Sequence, residues 1–390
     1  MKKVLIVVEL LFAVLCAAYG QAPGYDFTRS RLFSGFDGKK CKMSPGIATD
    51  WEGTILLSYK NLLLTGSDVF YDQFMYKSVD NGLTWKKQKS SKALKDIRDG
   101  DMRIGFSVCP HYSRFHSRWY AIGIETRYVD DKVPYLKVKD GKPYRHPYFA
   151  DIDIEKGRIM ELKEMPFPFE YGGVNAFGEP VELEDGDIIM TFYYTTLEQK
   201  DMNHKAVCVR YRFVEDGLEV VEAGTPIEAP QLRRGVCEPS LIRFQGKYYL
   251  TLRSDEQGMY CESADGLHFS QPKVWCWEDG TPIGNANTQQ HWIDLGDRLY
   301  LTYTRKDAAN KHVFRNRAPL YSAQFDPERG VLIKETEFPL VPELGARLGN
   351  FNTVCDGSGR AFLVTAEWMQ PVGCEKYGSD NSIWFISINK

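Results

Sequence analysis

The chain lacks the features that mark several large functional classes. No basic run longer than a few residues occurs, and the 390 residues carry a net charge of −3, so nucleic acid is not an expected partner. No Cys-x-x-Cys pair is present, which argues against a zinc ribbon or a thioredoxin-type redox site. No other metal motif stands out, and no cofactor is expected. Amphipathic helical periodicity is scarce. No linker is long or polar enough to divide the chain, so one domain is expected from about residue 25 to 390.

Long apolar runs are also missing. The longest candidate, Val4–Ala17, is interrupted by Glu9 and is short for a membrane span. Preceded by Lys2 and Lys3 and followed by the small residues Ala18 and Gly20, it reads instead as an export signal over residues 1–20, cleaved before Gln21. Leu15 stands before Cys16 where lipidation needs a small residue. The expected location is therefore periplasmic or extracellular. Eight cysteines remain after the signal. Their dispersal through apolar stretches points to buried thiols, with one or two bridges at most.

What is present is a strand pattern. Hydrophobic residues make up 43% and aromatics 13%, and short alternating or aromatic-rich runs recur between Gly, Asp, Asn and Pro turns. Six similar hairpins begin at Ser44, Gly105, Gly178, Cys237, Gln289 and Gly349, at a spacing of about 50 to 70 residues. Repeated hairpins each followed by further strand describe an all-β, six-bladed β-propeller. Its ring would close by pairing Ser382–Ile388 with strands from about Arg31–Phe36, because an open ring leaves exposed edges.

In a propeller the entries of the first strands converge on one mouth of the central channel. The repeats place there Lys42, Ser44, Arg103, His111, Asn175, Glu179, Glu238, Asn287, Gln289, Gln290, His291, Arg347, Asn350 and Asn352. Mixed carboxylates, amides, imidazoles and guanidinium groups suit a sugar, whose hydroxyls need both donors and acceptors. Glu238 and Arg253 lie across one hairpin. They read either as an acid/base beside an anion clamp or as a structural ion pair. Glu179 recurs as Glu-Pro in the preceding repeat, as a second carboxylate or a repeated structural residue. His291 is a candidate acid/base or a structural histidine. His111, Gln290, Asn350, Asn352, Arg347 and Arg317 are candidate substrate contacts, the last within the basic cluster of His312, Arg315 and Arg317.

The stretch Ser78-Val79-Asp80-Asn81-Gly82-Leu83-Thr84-Trp85 matches Ser-x-Asp-x-Gly-x-Thr-Trp, an Asp-box turn, and Ser263–Phe269 is a degenerate second copy. With the hairpin repeat and the Glu238/Arg253 pairing, the chain resembles the sialidase superfamily, in particular exported bacterial "exo-alpha-sialidase-like" proteins. The resemblance implies a glycosidase. By position, Glu238 matches the glutamate that assists the family's nucleophilic tyrosine, and Arg253 matches the second of three carboxylate-binding arginines. The first arginine is replaced by the segment Lys42-Met43-Ser44-Pro45, and Asn350 and Asn352 stand where the tyrosine belongs, which argues against true sialidase activity. The expected function is an exo-acting glycoside hydrolase removing a terminal, acidic or highly hydroxylated sugar. Glu238, Glu179 and His291 are its catalytic candidates, and the protein is expected to be monomeric. The alternatives are a lyase acting on uronate-containing glycan and a non-catalytic glycan-binding propeller.

Overall fold

A computed structural model describes residues 18–65, 68–129, 133–137, 141–198, 203–285 and 287–390. The apolar part of the expected export signal lies outside them. The expected cleavage point before Gln21 falls inside the strand Ala18–Ala22, which pairs with Tyr25–Leu32.

The strands form six antiparallel sheets. In chain order, the first holds Lys40–Thr49, Ile55–Leu63 and Phe70–Ser78; the second, Met102–Ser113, Arg118–Val129 and Pro147–Asp153; the third, Gly173–Glu182, Ile188–Thr195, Lys205–Val214 and Gly217–Ala223. The fourth holds Cys237–Phe244, Lys247–Arg253 and Gly258–Ser263, and the fifth His291–Asp294, Leu299–Tyr303 and Leu320–Asp326. In the sixth, Phe351–Cys355, Arg360–Ala366 and Ile383–Asn389 are joined by the N-terminal strand Tyr25–Leu32. That closure has the expected form with an earlier partner: Asp26 pairs with Asn389 and Leu32 with Ile383. The arrangement is an all-β propeller, with helix in only 4% of residues. It counts as five blades where the repeat led to six.

An apolar layer fills each gap between consecutive sheets, because the middle strands are buried on both faces. Ile188–Thr195 (IIMTFYYT) is buried throughout except at Tyr193. Alternate residues serve the two neighbours: Ile188, Met190 and Phe192 pack toward Tyr120 and Phe149 of the second sheet, and Ile189 packs toward Leu241 and Leu250 of the fourth. The last gap is closed by Leu32, Phe362, Val364 and Phe385 of the sixth sheet against Ile47, Ile55 and Leu57 of the first.

The Ser78–Trp85 turn locks onto this closure. Ser78 Oγ donates to Asp80 Oδ1 (2.7 Å) and accepts from the Gly82 amide (2.9 Å), while Thr84 Oγ1 donates to Asp80 Oδ2 (2.6 Å). Gly82 has φ +87° and lies so close to Phe385 of the sixth sheet that a Cβ would fall 2.4 Å from its ring. All eight cysteines of the described residues are free thiols, so the one or two bridges allowed from sequence are not formed.

Candidate functional site

The strand entries converge on a cavity of about 980 Å³, lined from five of the sheets and from the segments before and between the strands of the fifth. A local backbone device sets what faces it. The first strands of the first, third and fourth sheets each carry a register shift: between Met43 and Gly46, Phe177 and Val181, and Cys237 and Ser240. In each a residue with positive φ precedes the proline or stands one residue further back: Ser44 (φ 47°), Gly178 (φ 74°) and Glu238 (φ 48°). A non-glycine residue in this region is strained, and such strain concentrates at working sites. Asn287 (φ 54°) on the fifth sheet's approach is a fourth. All four line the cavity.

This device separates Glu238 from Glu179. The two Glu-Pro pairs look equivalent in sequence, but the bulge in the third sheet is centred on Gly178. Glu179 is turned one position out and is not part of the cavity wall. Its carboxylate instead takes His111 Nδ1 at 2.9 Å, and His111 lines the cavity.

Glu238 faces inward and forms an ion pair of 2.6 Å with Arg253. Burial pushes its carboxyl up, but Arg253, then Arg317 and Arg234, outweigh this and hold it below the usual range. Asn287 Oδ1 accepts from both Arg253 (2.5 Å) and Arg317 (3.2 Å), tying the two guanidinium groups together. Arg347 lies flat on Trp368, 3.4 Å from its ring centre, and donates to Gln370 Oε1 at 3.2 Å. Burial, followed by neighbouring arginines, pulls Arg317 down to about 9 and Arg347 to about 10. Among the described residues, neither Arg317 nor Arg347 has a carboxylate partner. The buried Nε atoms of Arg145, Arg253, Arg317 and Arg347 have no hydrogen-bond partner at all, nor has Asn352 Oδ1. The orphaned guanidinium donors suit an anion.

Of the other residues singled out from sequence, Asn350 and Asn352 line the cavity. His291 and Gln290 stand behind the wall. His291 is 2% exposed, with Nε2 on Gln289 Oε1 (2.9 Å), Nδ1 on Ser240 Oγ (3.2 Å) and its ring stacked on Phe177. Burial pulls its pKa down to about 4. It orients Gln289, which does line the cavity. Gln290 is bonded to Trp275 Nε1 (2.9 Å). Lys42 and Arg103 also point elsewhere, to Asn381 and Asp96.

Sequence reasoning missed Lys60, Arg145, Tyr193, His204 and Trp368, all in the wall. Lys60 had a signal, a lysine inside the buried strand ILLSYKNLL. Tyr193 is the only tyrosine of the wall among the described residues. Burial first and the negative charge of Glu238 second push its hydroxyl far above the usual range. The ring of His204 packs edge-on against Tyr193 at 5.2 Å. Burial pulls the His204 imidazole down to about 4.

No family model and no curated protein match the sequence. Solved structures do. The NanB sialidase from Streptococcus pneumoniae superposes with a TM-score of 0.63 at 10% identity, over 92% of this chain and 70% of that one. Trypanosoma rangeli sialidase gives 0.62 at 13% identity, over 92% and 56%. The fold is that of a sialidase-like β-propeller. A Dyadobacter fermentans protein of unknown function shares it at a TM-score of 0.61 and 14% identity, over 92% and 97% of the two chains. The chain therefore spans little more than half of the trypanosomal sialidase, and nearly all of the Dyadobacter protein. Among the described residues no helix is long and apolar enough to cross a membrane.

Proposed function

We propose that the protein is an exo-acting glycoside hydrolase that removes a terminal acidic sugar from a glycan, working as an exported monomer. The observation that carries this reading is the convergence of Arg253, Arg317 and Arg347, from three stretches of chain, beside Glu238, with no carboxylate on the latter two. Arginine forks of this kind match the planar geometry of a carboxylate. Arg347 supplies a third guanidinium despite the lysine at position 42, so the loss of an arginine from the first repeat does not empty the cluster.

The reacting pair is read as Glu238 and Tyr193. Asn350 and Asn352 offer no nucleophile, whereas Tyr193 brings a hydroxyl from the neighbouring third sheet to within the field of Glu238. In this reading Glu238, held ionised by Arg253, is the base that takes the proton of that hydroxyl once substrate is bound. His291 acts through Gln289 as a positioning residue. Six sheets separated by six apolar layers support six blades, one per sheet, in a single domain over residues 25–390. The sialidases among the neighbours in fold favour glycoside hydrolysis over other chemistries on this scaffold.

The test is a product screen by mass spectrometry, with the purified chain offered sialylated, uronate-containing and neutral glycans. A released acidic monosaccharide is the expected result. A product lacking one water would make the protein a lyase. Absence of any product, with a ligand still raising Tm, would make it a glycan-binding propeller.

A further inference from the structure

The cavity has a second cationic pole, set apart from Arg253, Arg317 and Arg347. Lys60 rises from the middle strand of the first sheet and Arg145 from the segment leading into Pro147–Asp153 of the second. Both line the cavity. Lys60 is 8% exposed, donates to Ser107 Oγ, and has its ammonium 4.4 Å from the centre of the Phe70 ring. Arg145 is anchored through one terminal nitrogen to Asn175 Oδ1 at 2.7 Å, and its buried Nε is without a partner. Among the described residues, no carboxylate lies within ion-pair distance of either.

A buried ammonium is costly unless it is paired. Here burial, and after it the neighbouring Arg145, pull Lys60 down to about 7. Asp68 offsets this only in part and forms no ion pair with Lys60, so two neighbouring cations without a paired carboxylate remain, an unfavourable arrangement that an arriving anion relieves. The charges felt most by Arg317 are Arg253, Glu238, Arg315 and Arg347, and those felt by Lys60 are Arg145 and Asp68. Lys60 and Arg145 come from the first two sheets, whereas Arg253 ends a strand of the fourth sheet and Arg317 and Arg347 stand on stretches beyond it, so the two groups of cations enter one cavity from different parts of the ring. Phe70 and Leu64 give the second pole an apolar edge, which suits an anion carried on a sugar ring better than a free ion.

We propose that Lys60 and Arg145, with the Ser107 hydroxyl, form a second oxyanion subsite in the cavity, so that the glycan bound there carries two acidic groups. This rests on the reading of the cavity as a sugar site. The oxyanion is a carboxylate or a sulfate ester on the same sugar or the next one.

The experiment is calorimetric titration of the full chain with inorganic sulfate, and separately with acetate. Three proteins are compared: the unaltered chain, K60M/R145Q, and R317Q/R347Q. Two sites are expected in the unaltered chain. K60M/R145Q should lose one, weakened roughly tenfold or more, and R317Q/R347Q the other. Stronger heat with sulfate at the site lost in K60M/R145Q assigns a sulfate ester there, and stronger heat with acetate a carboxylate. A folded K60M/R145Q that still binds two anions overturns the subsite. A single site lost only in R317Q/R347Q also overturns it and leaves the proposed function standing. A single site lost only in K60M/R145Q keeps the subsite and removes the support for an arginine-held acid. Should K60M/R145Q not fold, R145Q alone carries the test, since Arg145 is only partly buried.

Discussion

Glu238 illustrates how much a single backbone angle decides. Its positive φ carries the carboxylate inward, whereas Glu179, equally followed by proline, is turned to His111. Glu238→Gln keeps the shape and a hydrogen bond to Arg253 but loses the proton acceptor. Turnover on the substrate found by the product screen should fall on the order of 100-fold or more, and Tyr193→Phe should do the same. Circular dichroism would check that both variants stay folded, and full activity in either would remove that residue from the mechanism. His291 makes a different prediction. Its folded pKa of about 4 lies below the ordinary 6.5 of an unfolded chain. As pH falls below 6.5 the unfolded chain therefore takes up the proton first. The stability His291 contributes is complete above about 6.5 and is lost as pH falls toward 4, on the order of 3 kcal/mol. Urea midpoints measured across that range should decline, and less steeply in His291→Gln. Equal slopes would show that the ring is not held neutral.

At the scale of elements, the hairpin repeat was readable because turn residues and buried runs obey local rules. The Ser78–Trp85 turn is the clearest case. Ser78, Asp80 and Thr84 bond to one another within eight residues, so a sequence pattern suffices to foresee them. What Gly82 presses against is a residue some three hundred positions away. Gly82→Ala should cost about 2–4 kcal/mol, from the positive φ together with overlap with Phe385. The urea midpoint should drop while kcat/KM stays unchanged, because no residue of this turn lines the cavity. A loss of activity without loss of stability would mean that the turn reaches the site. The bulges were less readable. Ser-Pro-Gly, Gly-Glu-Pro and Glu-Pro-Ser are all consistent with a register shift, but the residue that takes the strain depends on pairing with the next strand.

For the whole molecule, the distribution of charge matters more than its sum. The chain is net negative. Yet the cavity wall carries Lys60, Arg145, Arg233, Arg234, Arg253, Arg315, Arg317 and Arg347 against Asp68, Glu238 and Asp255. A concave wall of one sign concentrates field lines and draws in anions. Affinity for an acidic glycan should therefore weaken as ionic strength rises toward 0.15 M, where the screening length is about 8 Å. A neutral glycan of the same size serves as the control, and equal salt dependence for both would argue against an electrostatic site.

Alternation, turn residues and the hairpin repeat come from short-range chemistry, and so the sequence by itself determined an all-β propeller with polar strand entries. It also located Glu238, Arg253, Arg317, Arg347, Asn350 and Asn352, which the tertiary structure brings into one cavity. Only the tertiary structure decided that His291 and Gln290 stand behind the wall while Lys60, Arg145 and Tyr193 stand in it. A residue's position along its strand does not say which of two neighbouring sheets its side chain meets. That choice depends on the register shifts between paired strands and on the closure between the two ends of the chain, a contact over hundreds of residues.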